Sequence, residues 1–185
     1  LVNSEIIHTV ADLLESRPIP FVVLDTVMIA KGGHPLLVED AVSAIRDRML
    51  PLADIITPNL PEAAALLGAE EAKSEAEMEE QGRALLALGP KAVLMKGGHL
   101  AHATSPDLLI TSAGVERFVS PRIETKNTHG TGCTLSAAIA ALYPQYGLKE
   151  GVQLAKAYID GAIANADKLG VGKGIGPTHH FYRWW

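Results

Sequence analysis

The sequence predicts an α/β fold built on a mainly parallel central sheet. The short continuous apolar run at 21–24 has the pattern of a buried parallel strand, and the segments 54–57 and 91–96 are predicted as the second and third strands. They alternate with segments of helical periodicity, which predicts helices on both faces of the sheet. No internal repeat or linker divides the 185 residues, so we expect a single domain.

Composition restricts the class of protein. Hydrophobic residues make up 48% of the chain and charged residues 20%, with a net charge of -5. The lack of a basic block argues against nucleic-acid and anionic-membrane partners. The single cysteine excludes an intrachain disulfide and fits a reducing compartment, and no apolar run reaches the roughly 20 residues of a membrane span. We therefore expect a cytoplasmic protein.

The first elements are delimited by cap residues. Asn3 or Ser4 can cap a helix whose apolar residues fall on one face. The strand at 21–24 ends in Asp25. A glycine-containing loop then leads to a helix at 38–49 and to the second strand.

Two further helices carry N-terminal cap signals. Asn59 can cap a helix at 61–67 that has Glu62 at its third position, the arrangement of a capping box. Ser74 and Glu77 repeat this pattern for the helix that precedes the third strand.

The third strand is followed by a hairpin and two helices. Residues 108–110 and 115–119 flank a turn at 112–114, which predicts an antiparallel hairpin at one edge of the sheet. A glycine-rich loop then opens directly into a helix at Cys133. A long helix is expected at about 148–169.

The glycine-rich loop at 125–133 is the strongest candidate for a functional feature. Gly130 and Gly132 let the backbone turn tightly and approach a ligand, and the first amides of the following helix attract phosphate. Cys133 stands at the positive end of that helix, where a thiolate is stabilised. The same pattern also fits a tight strand exit with a small cysteine packed against Ala137. From these residues alone, both interpretations stay open.

Polar residues follow the predicted parallel strands. Asp25 and the segments 57–62 and 96–99 each lie at the end of a strand. Ligands bind at the carboxyl ends of the strands in sheets of this kind, so we expect these residues to converge in one crevice. The helix that opens at Cys133 is expected to face the same crevice.

Four motifs occur in one order along the chain. They are LDTVM at 24–28, TPNLPEA at 57–63, KGGH at 96–99 and THGTGC at 128–133, followed by GIGPTHHF at 174–181. The series resembles the ribokinase superfamily, and most closely its hydroxymethylpyrimidine and phosphomethylpyrimidine kinase branch. Cysteine after GTG, where most sugar kinases of the superfamily carry aspartate, is similar to the pyrimidine and pyridoxal kinases. The resemblance implies a ribokinase-like, three-layer α/β/α fold.

The chain departs from the family pattern in two respects. Thr26 stands where the family usually has proline after the strand-terminal aspartate, and we expect a modest local effect because Asp25 is kept. The part of the family that supplies the first strands and much of the pyrimidine pocket has no counterpart here. We therefore expect an N-terminally incomplete domain, the C-terminal portion of such a kinase.

The resemblance implies ATP-dependent phosphorylation of 4-amino-5-hydroxymethyl-2-methylpyrimidine and then of its monophosphate. Cys133 corresponds to the catalytic base of the family. The amides of Gly130, Thr131 and Gly132 would form the anion hole for the transferring phosphoryl group. Val27 would contact the substrate, and the family resemblance favours a homodimer.

The resemblance also assigns residues to the nucleotide. Lys96 would contact the ATP phosphates, and Asn59 and Thr128 would assist in this region. Glu62 would hold Mg²⁺ through water, with Asp25 close to the metal. Glu62 is equally well explained by helix capping alone, and both roles can coexist.

Three alternatives remain at the level of the sequence. A pyridoxal or pyridoxine kinase shares the GTGC feature. A hydrolase built on Cys133 and His129 is disfavoured because it leaves TPNLPEA and KGGH unexplained. An inactive, nucleotide-binding fragment is the third. His99 and His129 lie beside glycines and are interpreted as hydrogen-bonding spacers.

Overall fold

The computed structural model describes residues 3–17, 19–28, 39–98, 100, 104–171 and 173–184. Its contacts form two compact units, Leu1–Val119 and Ser120–Trp185. The glycine-containing loop before the second helix and the candidate His99 lie outside the described residues. The expectation of a single domain stays a prediction.

The first unit is built on a five-stranded sheet with the order β1-β2-β3-β4-β5. The strands are β1 Val23–Leu24, β2 Ile55–Ile56, β3 Ala92–Lys96, β4 Thr104–Thr111 and β5 Gly114–Pro121. β1, β2 and β3 are parallel, and β4 runs antiparallel to β3, with Lys96 opposite Asp107. The predicted α/β class and the edge hairpin are confirmed. β1 and β2 are shorter than predicted, although the carbonyl of Val22 still accepts the amides of Asp54 and Ile55.

The described residues of this unit form the α-helices α1 Ser4–Ser16, α2 Glu39–Ala44, α3 Leu60–Leu67 and α4 Glu75–Leu86. The Asn3 side chain caps α1 by accepting the amide of Ile6. The single helix predicted at 38–49 is wrong in its second half, because α2 continues as a π-helical turn, Ile45–Met49, and a 3₁₀ turn, Leu50–Leu52. Ile45 and Met49 are buried there, so core packing sets a winding that apolar periodicity does not reveal.

The cap of α4 differs in part from its prediction. Ser74 accepts the amide of Glu77, as expected. The Glu77 carboxylate, however, accepts the amide of Lys73 at 2.7 Å, so this side chain binds the backbone before the cap residue. The repeated capping box is therefore only half correct.

The second unit contains one long helical element, α5 Thr131–Ala164, and a 3₁₀ turn, Ala166–Lys168. The prediction of two helices holds, since α5 is broken at Gly147, which has φ 72° and ψ -174°. Such a positive φ is open to glycine at little cost. The chain then returns to the start of α5, because His129 and Pro177 form an isolated parallel bridge.

The core of the first unit lies around the sheet and its helices. Fully buried side chains from β2, β3 and β4 include Ile56, Val93 and Ile110, and they meet Leu66 of α3 and Leu85 of α4. None of the helices in the described part of the chain has both the length and the apolar character of a membrane span.

We predict that Gly97→Ala destabilises the protein. A Cβ atom at Gly97 would lie 2.0 Å from the carbonyl oxygen of Pro106, and a backbone atom cannot move aside as a flexible side chain does. Overpacking of this kind costs about 3 kcal/mol of the free energy of unfolding. The measurement is urea unfolding. Gly98→Ala is the matched control because its Cβ would meet Ser105 at an ordinary 3.6 Å; equal stability of the two variants would contradict the prediction.

Candidate active site

The buried carboxylate of Glu62 is the centre of the first-unit site. Asn59 and Glu62 form the predicted capping box: the Asn59 side chain accepts the amide of Glu62 at 2.8 Å, and Glu62 Oε2 accepts the amide of Asn59 at 2.8 Å. Pro61 near the start of α3 favours this helix start because its missing N–H would have no helical partner. The side chain of Glu62 is 4% exposed. The cap therefore fixes this carboxylate inside the protein.

Thr26 supplies a second donor to the same carboxylate oxygen. Its hydroxyl donates to Glu62 Oε2 at 3.2 Å, and Thr26 is fully buried. Proline could not make this bond. The expectation of a modest effect at this position considered only Asp25, and it missed the contact because the partner lies 36 residues away in the sequence.

Lys96 lies between two carboxylates. Its Nζ is 3.5 Å from Asp25 Oδ1 and 3.9 Å from Glu62 Oε2, and all three side chains are mostly buried. The hydroxyl of Thr57 donates to Asp25 at 3.3 Å. The amide of Lys96 donates to the carbonyl of Pro58 at 2.8 Å. The ends of β1, β2 and β3 thus bring together Asp25, Glu62 and Lys96, as the parallel sheet predicted.

Burial raises the pKa of Glu62 above its ordinary value of 4.5. The positive charge of Lys96 and the hydrogen bonds from Asn59 and Thr26 oppose this shift, whereas the neighbouring Asp25 adds to it. The cluster therefore places two acidic groups and one ammonium group in a small volume shielded from water.

The two carboxylates fit a Mg²⁺ ion that is coordinated by the protein and by a substrate together. Magnesium prefers oxygen ligands, keeps several waters and is commonly held by one or two carboxylates together with substrate phosphates. Asp25 and Glu62 both lie within 4 Å of the Lys96 ammonium group. Across the described residues, no group of three or more His, Cys, Asp or Glu side chains could hold a metal ion. The residues therefore suit a shared ion and do not form a protein-only cage.

Asp107 is a site residue that the sequence analysis missed. It lies on β4 opposite Lys96, is 5% exposed, and its Oδ1 accepts the amide of Gly97 at 3.0 Å. This bond fixes the backbone directly after Lys96. The predicted strand began only at residue 108. An earlier start would have placed Asp107 inside the strand, where a buried acidic residue indicates a specific hydrogen-bonding role.

The second unit presents the glycine-rich loop. Gly130 precedes α5 with φ 79°, and no side chain caps the helix there. The Thr131 hydroxyl donates to the carbonyl of Thr128 at 2.8 Å, and the amide of Thr134 donates to the carbonyl of Gly130 at 2.9 Å. Gly132 and Cys133 follow in the first turn, and Cys133 is exposed. The alternative interpretation, a small cysteine packed in the interior against Ala137, is therefore wrong, although both residues line one cavity.

That cavity lies on the first turns of α5 and has a volume of about 470 Å³. Its lining residues are Gly130, Cys133, Thr134, Ala137, Ala138, Tyr158 and His180. The backbone of His129 donates to Gly176 and accepts from Thr178, in agreement with a spacer role.

In the first unit, Val27 is 39% exposed. The expected convergence of the loop with the strand ends stays a prediction.

Comparisons with known proteins identify the family of the chain. A family model for phosphomethylpyrimidine kinase matches residues 1–179. The hydroxymethylpyrimidine/phosphomethylpyrimidine kinase of Salmonella typhimurium is 58% identical over 186 residues, which cover all of this chain and 70% of that protein. The thiamine biosynthesis bifunctional protein ThiED of Geobacter sulfurreducens is 46% identical, over 97% of this chain and 36% of that protein.

The fold is also similar to a solved kinase. Pyridoxal kinase from Bacillus subtilis in complex with ADP superimposes with a TM-score of 0.90 at 36% identity, over 99% of this chain and 68% of that chain. The chain is thus a phosphotransferase with an α/β, ribokinase-like fold. It belongs to the phosphomethylpyrimidine kinase family, which confirms the resemblance drawn from the four motifs.

We predict that Glu62→Gln changes how stability depends on pH. Because the pKa of Glu62 is raised in the folded protein, its contribution is fully present below 4.5 and is lost as the pH rises through the folded value. The wild type should therefore lose stability relative to Glu62→Gln across this window. Urea unfolding at several pH values measures the difference.

The control for that series is Glu71→Gln, which changes an exposed position of the same unit. Its stability should follow the wild type at every pH. A Glu62→Gln variant that also runs parallel to the wild type would contradict the assignment of Glu62 as a buried, ionising group.

Proposed function

We propose that the protein transfers the γ-phosphoryl group of ATP to 4-amino-5-hydroxymethyl-2-methylpyrimidine, and then to its monophosphate, in thiamine biosynthesis. Membership of the kinase family and the names of its relatives support this activity. The observation that carries it is Lys96 between the carboxylates of Asp25 and Glu62, at the carboxyl ends of three parallel strands.

We assign the first-unit cluster to the triphosphate. Phosphoryl transfer requires charge neutralisation and positioning more than covalent chemistry by the protein. Lys96 binds phosphate oxygens as a point charge, and the two carboxylates hold its ammonium group in place. Asn59 acts through Glu62, since its amide fixes the carboxylate oxygen that faces Lys96. When bound, Mg²⁺ would neutralise phosphate charge, with Asp25 and Glu62 as its protein ligands.

We assign the loop before α5 to the reacting oxygen and the transferred group. The acceptor hydroxyl oxygen attacks the γ-phosphorus, the bond from that phosphorus to the β,γ-bridging oxygen breaks, and ADP leaves. The Cys133 thiolate takes the hydroxyl proton on Sγ, a role suited to an exposed thiol at a helix N-terminus. The amides of Gly130, Thr131 and Gly132 face charge on the transferring group, with Thr128 holding Thr131 in place.

Pyridoxal phosphorylation is the second candidate, favoured by the structural similarity to a pyridoxal kinase. The two functions differ in the ring that the acceptor site accepts. Val27 is our candidate for a ring contact because it is an apolar side chain left partly exposed two residues after Asp25. The cytoplasmic location and the homodimer expected from the sequence stay predictions.

The proposed function predicts ADP formation with the hydroxymethylpyrimidine and with its monophosphate, at kcat/KM values at least about tenfold above pyridoxal, because a relative at 58% identity carries the pyrimidine name. A coupled ADP assay with MgATP measures the three acceptors side by side. Faster turnover of pyridoxal would contradict the pyrimidine assignment and favour the second candidate.

Replacing the base should slow the chemical step. Cys133→Ala is expected to lower kcat by about 10²- to 10⁴-fold with little change in the KM for ATP, since general base catalysis contributes this range. Cys133→Asp should keep part of the activity because a carboxylate can also accept the proton. Single-turnover measurements separate chemistry from release. Undiminished turnover by Cys133→Ala would show that another group takes the proton.

A further inference from the structure

The side chain of His180 contacts the first turn of α5. Its Nε2 lies 2.9 Å from the hydroxyl oxygen of Thr134. That hydroxyl donates its single hydrogen to the carbonyl of Gly130 at 2.7 Å, and a carbonyl can only accept. The Nε2 atom must therefore carry the proton and donate to Thr134. A chain of two directed hydrogen bonds runs from His180 to Gly130.

The backbone around His180 is anchored on both sides. The hydroxyl of Tyr158 donates to the carbonyl of His180 at 3.0 Å. The amide of His179 donates to the carbonyl of Ala162 at 3.0 Å. Both partners lie on the second part of α5, so the segment that carries the imidazole is fixed to the same helix whose first turn the imidazole contacts.

These two hydrogen bonds end at the carbonyl of Gly130, in the turn before α5. Gly130 has a positive φ and no side chain caps α5, so its carbonyl is held by Thr134 alone among the bonds described for it, through the amide at 2.9 Å and the hydroxyl. Cys133 immediately precedes Thr134, and its carbonyl accepts the hydroxyl of Ser136 at 3.0 Å. The orientation of Cys133 therefore depends on the same turn that Thr134 closes.

We propose that His180 is a positioning residue for this turn: it fixes the rotamer of Thr134, which in turn holds Gly130 and orients Cys133. This inference rests on the proposed role of Cys133 as the base. It gives the C-terminal segment a part in the chemistry, although His180 touches no reacting atom. The hydrogen-bond partner of His180, Thr134, lies 46 residues earlier in the sequence.

The test uses the thiol itself, since Cys133 is the only cysteine of the chain. The pseudo-first-order rate of alkylation by iodoacetamide reports the thiolate, and access does not limit it because the thiol is exposed. Losing one hydrogen bond of the chain is expected to lower this rate about fivefold in His180→Ala and in Thr134→Val. His180→Gln and Thr134→Ser, which keep a donor and a hydroxyl, should stay within about twofold of the wild type.

The matched control is Phe181→Ala, which removes an exposed ring from the same segment without touching the hydrogen-bond chain. An unchanged alkylation rate in both His180→Ala and Thr134→Val would overturn the proposal. An equal fall in Phe181→Ala would also overturn it, because general loosening of the segment would then be the cause. In turnover, His180→Ala should lower kcat by a similar factor and leave the KM for ATP unchanged, with rescue by His180→Gln.

The alkylation result does not depend on which acceptor the enzyme uses. Failure of the proposed function would appear elsewhere, as no ADP formation with the pyrimidine acceptors, and failure of the base role would appear as normal turnover by Cys133→Ala. In both cases the alkylation rates would still respond to His180. The two failures are therefore distinguishable.

Discussion

A carboxylate placed out of water is the constraint around which the first unit is organised. Glu62 is almost fully buried, and an ionised carboxylate is tolerated there only with donors and a cation. Thr26 after β1, Asn59 after β2 and Lys96 at the end of β3 supply these three partners to one oxygen. Each of the three stabilises the ionised carboxylate, Lys96 by its charge and the other two as hydrogen-bond donors, so the three strand ends are held together by polar contacts as well as by the sheet.

The register of β4 on β3 extends the same constraint to the backbone. Asp107, opposite Lys96, holds the amide of Gly97, and the carbonyl of Pro106 leaves no room for a Cβ atom there. The backbone directly after Lys96 is therefore fixed in one conformation. In the second unit a comparable effect is obtained without charge, because Thr134 and His180 hold a glycine turn that no side chain caps.

Local signals in the sequence were sufficient for much of this description. The Asn59–Glu62 capping box is encoded within four residues, and the glycine-rich loop before Cys133 was equally local; both were predicted correctly. The contact from Thr26 to Glu62 and the contact from His180 to Thr134 could not be predicted, because each joins residues 36 or more positions apart. The π-helical turn at Ile45–Met49 was missed for the same reason, since tertiary packing overrides periodicity there.

Binding of a non-hydrolysable ATP analogue with Mg²⁺ tests the central claim that Lys96, held between Asp25 and Glu62, is the phosphate-binding group. Calorimetric titration of the wild type and of Lys96→Met should show a Kd raised about tenfold or more in the variant, because a charge-assisted contact to phosphate contributes about 1.5–3 kcal/mol. Omitting Mg²⁺ should weaken binding by the wild type as well. Equal affinity of the two proteins for the analogue would contradict the account and would place the triphosphate elsewhere.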